Sequence, residues 1–510
     1  MVDPRTPVIV GVGQFTERID DPDYRGMSAV ELATEAVRVA LADTGADVAA
    51  VAKSIQVFAG LRQFEICTPY ATAPLGASDN YIRSVAKRVG ADPERAVLEP
   101  IGGNGPQKLV SEFGGAIAAG EIEVALLLGS ENGSTLKTFA GRADGPDHSE
   151  TVGGQLDDRG YGFEQYMSEY TAKHGLTGAP VQYGLLDNAR RRRLGVSVDD
   201  YRHQMAELFA PFSKVAAKNP FSSSPVERSV EELTTVTAEN RMICDPYPRL
   251  MVARDTVNQG AAVLIMSVDA ARKLGVPEEK WVYLHGHADQ REQDLLDRED
   301  VSISYSSKQA VAEALRGTGI GIDDVATFDL YSCFPFPVFA VCDDFGLAAD
   351  DPRGLTLTGG LPYFGGPGNS YSLHGIAETV AAMRDKPGAF GLVGANGGVM
   401  SKYSVGVYST TPTEWVADRS AELQRDIAAL PKVAVTRNAN GAGVIETYSV
   451  RYDWPERTGI IIGRLDADDS RFMAITTDND LVALMTDGDP LGAAIAVTAG
   501  EDGINRAVLA

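Results

Sequence analysis

The stretch from Val97 to Gly129 leaves the chain little choice of architecture. A short apolar run, Val97-Leu98-Glu99, gives way to the turn Gly102-Gly103-Asn104-Gly105-Pro106, and then to apolar positions at Leu109, Phe113, Ala116 and Ile117. Spacings of three and four put those four on one face of a helix. Proline in the first helical turn is harmless, because its missing amide would have had no partner there. The unbroken run Val124-Ala-Leu-Leu-Leu-Gly129 is that of a strand covered on both faces. Strand, glycine turn, helix and buried strand together predict an α/β fold.

The rest of the chain extends this plan. The apolar run at 8–13 precedes Ser28-Ala-Val-Glu31, a capping-box signature, and Val30, Ala33, Val37 and Ala40 then recur on one helical face until Gly45. Strand-like Trp281–Leu284, helix-like Gln309–Leu315 and strand-like Val325–Leu330 repeat the order, so two α/β halves are expected at 1–270 and 271–425. Residues from about 133 to 255 are polar, carry Arg190-Arg191-Arg192-Arg193, and break the alternation. They are read as an inserted loop domain. Past a linker at 426–443, Tyr448, Val450 and Tyr452 alternate with polar residues, the period of a half-buried strand. Segments at 458–465, 471–477, 480–486, 493–498 and 505–509, separated by Asp- and Gly-rich turns, predict a small antiparallel β-barrel at 444–510.

A net charge of −24 opposes binding to nucleic acid or anionic lipid, whose affinity rests on lysine and arginine. No apolar stretch is long enough to span a bilayer, and the N-terminus lacks the pattern of a secretion signal. Four scattered cysteines, Cys67, Cys244, Cys333 and Cys342, show neither disulfide-framework nor zinc spacing. A cytoplasmic location follows as the expectation. His285 and His287 fall on one side of a strand without an evident third ligand, so no metal is expected.

Ordered landmarks carry a resemblance across roughly the first 420 residues: VGVGQF at the start, AAGEIEVALLLGSEN, AAKNPF at 216–221, NQGAAVLIMS at 258–267, YSCFPF at 331–336, GGPGNSYS at 365–372 and GANGGVM at 394–400. Together they resemble the thiolase superfamily, above all the sterol-carrier-type thiolases and the thiolase-like proteins. The tail is similar to the β-barrel added to type-1 thiolase-like proteins, and its GVIETYSV phrase to OB-fold acyl-CoA partners. The resemblance implies the thiolase fold: two βαβαβαββ halves layered α-β-α-β-α. It also implies coenzyme A or an acyl-CoA as ligand or substrate, no covalently bound cofactor, and the possibility of a homodimer.

Thiolase chemistry, as the family implies, needs a cysteine at a helix N-terminus, where the dipole and free amides stabilise a thiolate. Counting back from Gly120 and Glu131 places that position at Gly103, or at Gly102 with a slip of one. The resemblance sets the second cysteine against Ala395 and the Gly-His-Pro histidine against Gly366. Nucleophile and proton shuttles act as one unit, so ordinary thiolysis is not expected. Gly102, Gly103, Asn104 and Gly105, with Gly365, Gly397 and Gly398, are candidates for a loop whose amides meet a carbonyl oxygen or anion.

The remaining family motif becomes Tyr331-Ser332-Cys333-Phe334, making Tyr331, near Tyr363 or Tyr371, the candidate catalytic group. Cys333 and Cys342 are read as buried inert thiols, and His374 as structural. For Arg190 to Arg193 two readings stand: guanidinium groups holding CoA phosphates, or a solvated helix face. Three functions therefore remain open. One is an acyl-CoA-binding protein of the acyltransferase family without thiolysis. Another is a retro-aldolase-type carbon–carbon lyase or condensing enzyme using Tyr331. The last is a non-catalytic scaffold.

Overall fold

A computed structural model describes residues 2–162, 168–453 and 456–510. In the first half, β1 (Pro7–Thr16), β2 (Val57–Leu61), β3 (Arg95–Glu99), β4 (Val124–Asn132) and β5 (Asn258–Ser267) lie in the order β3-β2-β4-β5-β1. Strand β2 runs parallel to β3 and β4, and β5 runs antiparallel to β4 and β1. In the second half, β6 (Val282–Arg291), β7 (Val325–Leu330), β8 (Phe390–Gly397) and β9 (Lys402–Ser409) are ordered β7-β8-β9-β6. Their directions, one parallel pair and then two antiparallel, repeat those of β2-β4-β5-β1. The halves touch where Val8 and Ile9 pair with Tyr283 and Val282.

Two helices fill the space between the sheets: α2 (Gly105–Ala119) and α7 (Tyr371–Asp385). Leu109, Val110, Phe113 and Ile117 from one and Leu373, Ile376, Val380 and Met383 from the other share a core with Leu127, Val263 and Val393 of both sheets. Outside the first sheet lies α1 (Ala29–Asp43), started by the predicted Ser28–Glu31 capping box. Outside the second lie α5 (Tyr305–Thr318) and α6 (Pro335–Phe345). The five layers are those of the expected thiolase fold. Strand β4 is buried along its whole length, as its apolar run requires.

Between β4 and β5 the chain leaves the sheet for the loop domain, whose helices α3 (Ala179–Leu194) and α4 (Val198–Ala216) share a core with α6. After α8 (Ser420–Ala428), strands β10 (Gly441–Asp453), β11 (Glu456–Leu465), β12 (Arg471–Thr476), β13 (Ala494–Ala499) and β14 (Asn505–Leu509) close a five-stranded barrel. The pairing is antiparallel except for a parallel contact between β12 and β14.

Two expectations need correction here. The connection is shorter than 426–443, because α8 reaches Ala428 and β10 starts at Gly441. The segment 480–486 is not a strand but lies within helix α9 (Asn479–Asp487). Asp478 caps it by accepting from the Leu481 amide, and Leu481 and Met485, one helical turn apart, are the residues buried.

The barrel rests on the loop domain. Arg451 of β10 pairs with Cys244, Thr447 donates to the Leu185 carbonyl, and Asn188 donates to the Tyr448 carbonyl. Among the described residues, no helix is long and apolar enough to cross a membrane.

Candidate functional site

Helix α2 begins where β3 runs out against the middle of the molecule, and the turn before it is pinned from the second half. The Gly102 amide donates to Asn369 Oδ1 at 2.8 Å, and Ser372 Oγ donates to the Gly103 carbonyl at 2.8 Å. Asn369 is in turn held by donating to the Arg62 carbonyl at 2.7 Å. Gly102 sits at φ +146°, in the region that favours glycine. The Gly103 amide has no acceptor among the described residues and lies at the positive end of the α2 dipole.

A cavity of about 510 Å³ opens in front of this turn, lined mostly by apolar side chains and bare backbone. Gly102, Gly103, Gly366, Gly397, Gly398 and Tyr331 all line it, so the fold brings these six of the residues singled out in the sequence together. A Cβ placed on Gly103 would overlap the Tyr331 hydroxyl and lie 2.6 Å from the Asn396 carbonyl oxygen. The Tyr331 ring thus occupies the space a side chain at Gly103 would need. Its hydroxyl has no hydrogen-bond partner among the described residues, and burial holds its pKa well above that of a free phenol. It is a proton donor, not a base.

The second phenol at the cavity is not one of those expected. Tyr363 and Tyr371 both lie outside the lining, and the Tyr371 hydroxyl shares a hydrogen bond with Thr358 Oγ1 at 2.5 Å. Instead Tyr183, on loop-domain helix α3, reaches in. Its ring stacks on Phe334 at 4.5 Å, and its hydroxyl accepts from Asn396 Nδ2 at 2.6 Å. Cys333 lies 3.8 Å from the same Asn396 nitrogen, and burial pushes its thiol up to about 12, which keeps it protonated. Cys67 also lines the cavity, and burial raises its pKa as well. The single carboxylate residue of the described lining is Asp255.

Other sequence candidates stand elsewhere. Ala395 is fully buried on β8 and does not line the cavity; Asn396, on the opposite face of the strand, does. Gly365 is not ligand-facing, since a Cβ there would point at Gln259 and Ser223. Asn104 and Gly105 face a neighbouring polar pocket of about 260 Å³ with Glu99, Lys108, Arg159 and Asp289.

Arg190 to Arg193, read either as phosphate ligands or as a solvated helix face, do not line this cavity, and protein groups hold all four. Arg190 grips Asp343 through two bonds of 2.8 and 2.7 Å, and Arg193 reaches the same carboxylate at 2.7 Å. Arg191 grips Asp489 through two bonds of 2.8 Å, and Arg192 donates to the Ile445 and Glu446 carbonyls. The cation at the cavity is Lys402, which sequence reasoning missed. Its Nζ donates to the Ile101 and Gly162 carbonyls, and burial lowers its pKa. His374 is enclosed, with Nδ1 against Gln14, while His285 and His287 direct Nε2 to the Thr411 and Val416 carbonyls. Among the described residues no group of three or more His, Cys, Asp or Glu is placed to hold a metal ion.

Comparison with known proteins agrees with this architecture. The family model described as "thiolase-like protein type 1 additional C-terminal domain" matches residues 422–502. A monomeric SCP2-thiolase-like protein type 1 from Mycobacterium smegmatis is 64% identical over 100% of both chains, with a TM-score of 0.88. An Ltp2–ChsH2(DUF35) aldolase is 19% identical, covering 80% of this chain and 98% of that one, and the dimeric peroxisomal thiolase of Saccharomyces cerevisiae is 14% identical with the same coverage. Both superpose with a TM-score of 0.56, a likeness of fold alone. A search of curated proteins finds no match. Two layered α/β halves, a loop domain over the joint site and an added barrel define a thiolase-superfamily protein. Within that class, the chain belongs to the family of SCP2-thiolase-like proteins type 1.

Proposed function

We propose that this protein binds an acyl-CoA in the cavity before α2 and does not carry out thiolysis. The observation that carries the reading is the overlap at Gly103: the Tyr331 hydroxyl fills the space a nucleophilic side chain would need, and both cysteines of the lining are held protonated. The thioester oxygen would accept from the Gly103 amide and the Tyr331 hydroxyl, two donors fixed before the ligand arrives. Apolar groups such as Phe64, Val252 and Leu361 would cover the acyl chain, and Lys402 supplies a positive charge beside the turn.

Calorimetric titration with CoA and acetyl-CoA, combined with an assay of acetoacetyl-CoA thiolysis, tests this. Expected are saturable binding and no thiolysis, and about tenfold weaker acetyl-CoA binding by Tyr331→Phe from loss of one hydrogen bond. Thiolysis would overturn the reading, and absence of binding would favour a scaffold.

One observation favours a second reading, a retro-aldol lyase acting on CoA esters. Tyr331 presents an unpartnered hydroxyl able to donate to a developing enolate, and Asp255 in the same lining can accept the β-hydroxyl proton. Cleavage of β-hydroxyacyl-CoA esters by the wild type, abolished in Tyr331→Phe, is the result that would establish it.

A further inference from the structure

Behind the acyl cavity lies another of about 310 Å³, where the loop domain, the second half and the connection to the barrel meet. Among the described residues the two cavities share only Gly398 and Val399. These residues and Met400 have φ near +55°, a left-handed turn that is costly for a β-branched valine. Arg298 and Ser401 hold that turn's far side, and both line the second cavity. Arg298 donates Nε to the Gln293 carbonyl and Nη2 to the Met400 carbonyl, each at 3.0 Å. Its Nη1 and the Ser401 hydroxyl are buried with no partner among the described residues. No described carboxylate comes within ion-pair distance of Arg298, on which Glu292 and Asp294 act only at longer range, although it is only 3% exposed. A buried guanidinium in that condition is costly unless an anion joins it.

We infer that this cavity is a second ligand site, which takes a small aliphatic monocarboxylate. One carboxylate oxygen meets Arg298 Nη1 and the other meets the Ser401 hydroxyl, a charge-assisted pair of bonds. Leu176, Leu295, Leu296 and Val435 supply an apolar wall for a short alkyl chain. Glu292 and Asp294 already act on Arg298, and Asp297 is paired with Lys432 at 2.9 Å, so a second negative charge on the ligand would be repelled and a monoanion is selected. Arg437 lies over the Tyr170 ring at the mouth. The site stands independently of the acyl-CoA reading, because it uses neither Gly103 nor Tyr331.

The test titrates the full-length protein calorimetrically with hexanoate, with its neutral counterpart hexanamide and with inorganic phosphate. Hexanoate is expected to bind saturably at one site, and hexanamide at least about tenfold more weakly. Ser401→Ala, which removes one hydroxyl, should weaken hexanoate about tenfold, and Leu295→Trp, at a half-buried wall position, should abolish binding. Ala253→Phe, which narrows only the acyl cavity, should leave it unchanged. Three results would overturn the assignment: no saturable binding of hexanoate, equal binding of hexanamide, or loss in Ala253→Phe with retention in Leu295→Trp. Phosphate binding more tightly than hexanoate would overturn the choice of a monocarboxylate.

Discussion

At Gly103 one hydrogen atom stands where a side chain would collide with Tyr331. Restoring a cysteine there is therefore not a route back to thiolysis. Gly103→Cys is expected to show no thiolysis and to lose about 1–3 kcal/mol of stability through overpacking. Gly103→Cys with Tyr331→Ala should recover most of that loss, as read by urea denaturation of both variants. A second residue-scale prediction concerns Glu65, beside the Phe64 and Cys67 rim, whose carboxyl burial pushes from 4.5 up to about 7. Between those values the folded chain holds a proton that the unfolded chain has released, so this group's contribution falls as pH rises from 4.5 to about 7 and is then flat. Glu65→Gln should shrink the drop in melting temperature between about pH 5 and about pH 8; an unchanged drop would show that Glu65 is not its source. At this scale the sequence exposed what the motifs carried, Gly103, Gly366 and Tyr331. It hid Tyr183, because nothing in a helix rich in buried polar residues marks the one ring that reaches across to Asn396.

Among the elements, the most legible were those whose burial is complete or one-sided. An unbroken apolar run gave β4, and a capping box with regular spacing gave α1. Helix α9 was not legible in the same way, since its short apolar stretch between turns is compatible with a strand, and only the Asp478 cap with Leu481 and Met485 one turn apart decides it. Asp478→Ala should cost about 1 kcal/mol, measured by chemical denaturation, whereas a strand would be nearly indifferent to that change. The helix α2 turn was legible as a ligand-facing loop, yet Asn104 and Gly105 point to a different pocket from Gly102 and Gly103. Residue spacing along a turn does not tell which of two neighbouring cavities each position faces.

For the whole molecule, the two halves were legible because the same order of strands and helices recurs, while the docking of the barrel was not. Four consecutive arginines gave no hint that Arg191 and Arg192 bind the barrel and that Arg190 and Arg193 bind Asp343 on α6. Arg191 is 1% exposed and its partner Asp489 is half-exposed. Asp489→Ala should therefore destabilise the protein by about 2 kcal/mol, mostly from leaving the guanidinium without its charged acceptor, and calorimetric melting checks this. The barrel meets the loop domain as a subunit would, through a strand pairing at Arg451 and Cys244 and through side-chain bonds, but a covalent connection joins them. A contact between separate chains obeys mass action, and its contribution falls as the solution is diluted. Here the neighbour is always present, so the stability this contact provides should stay unchanged as the protein is diluted to the lowest concentration a spectrometer can follow.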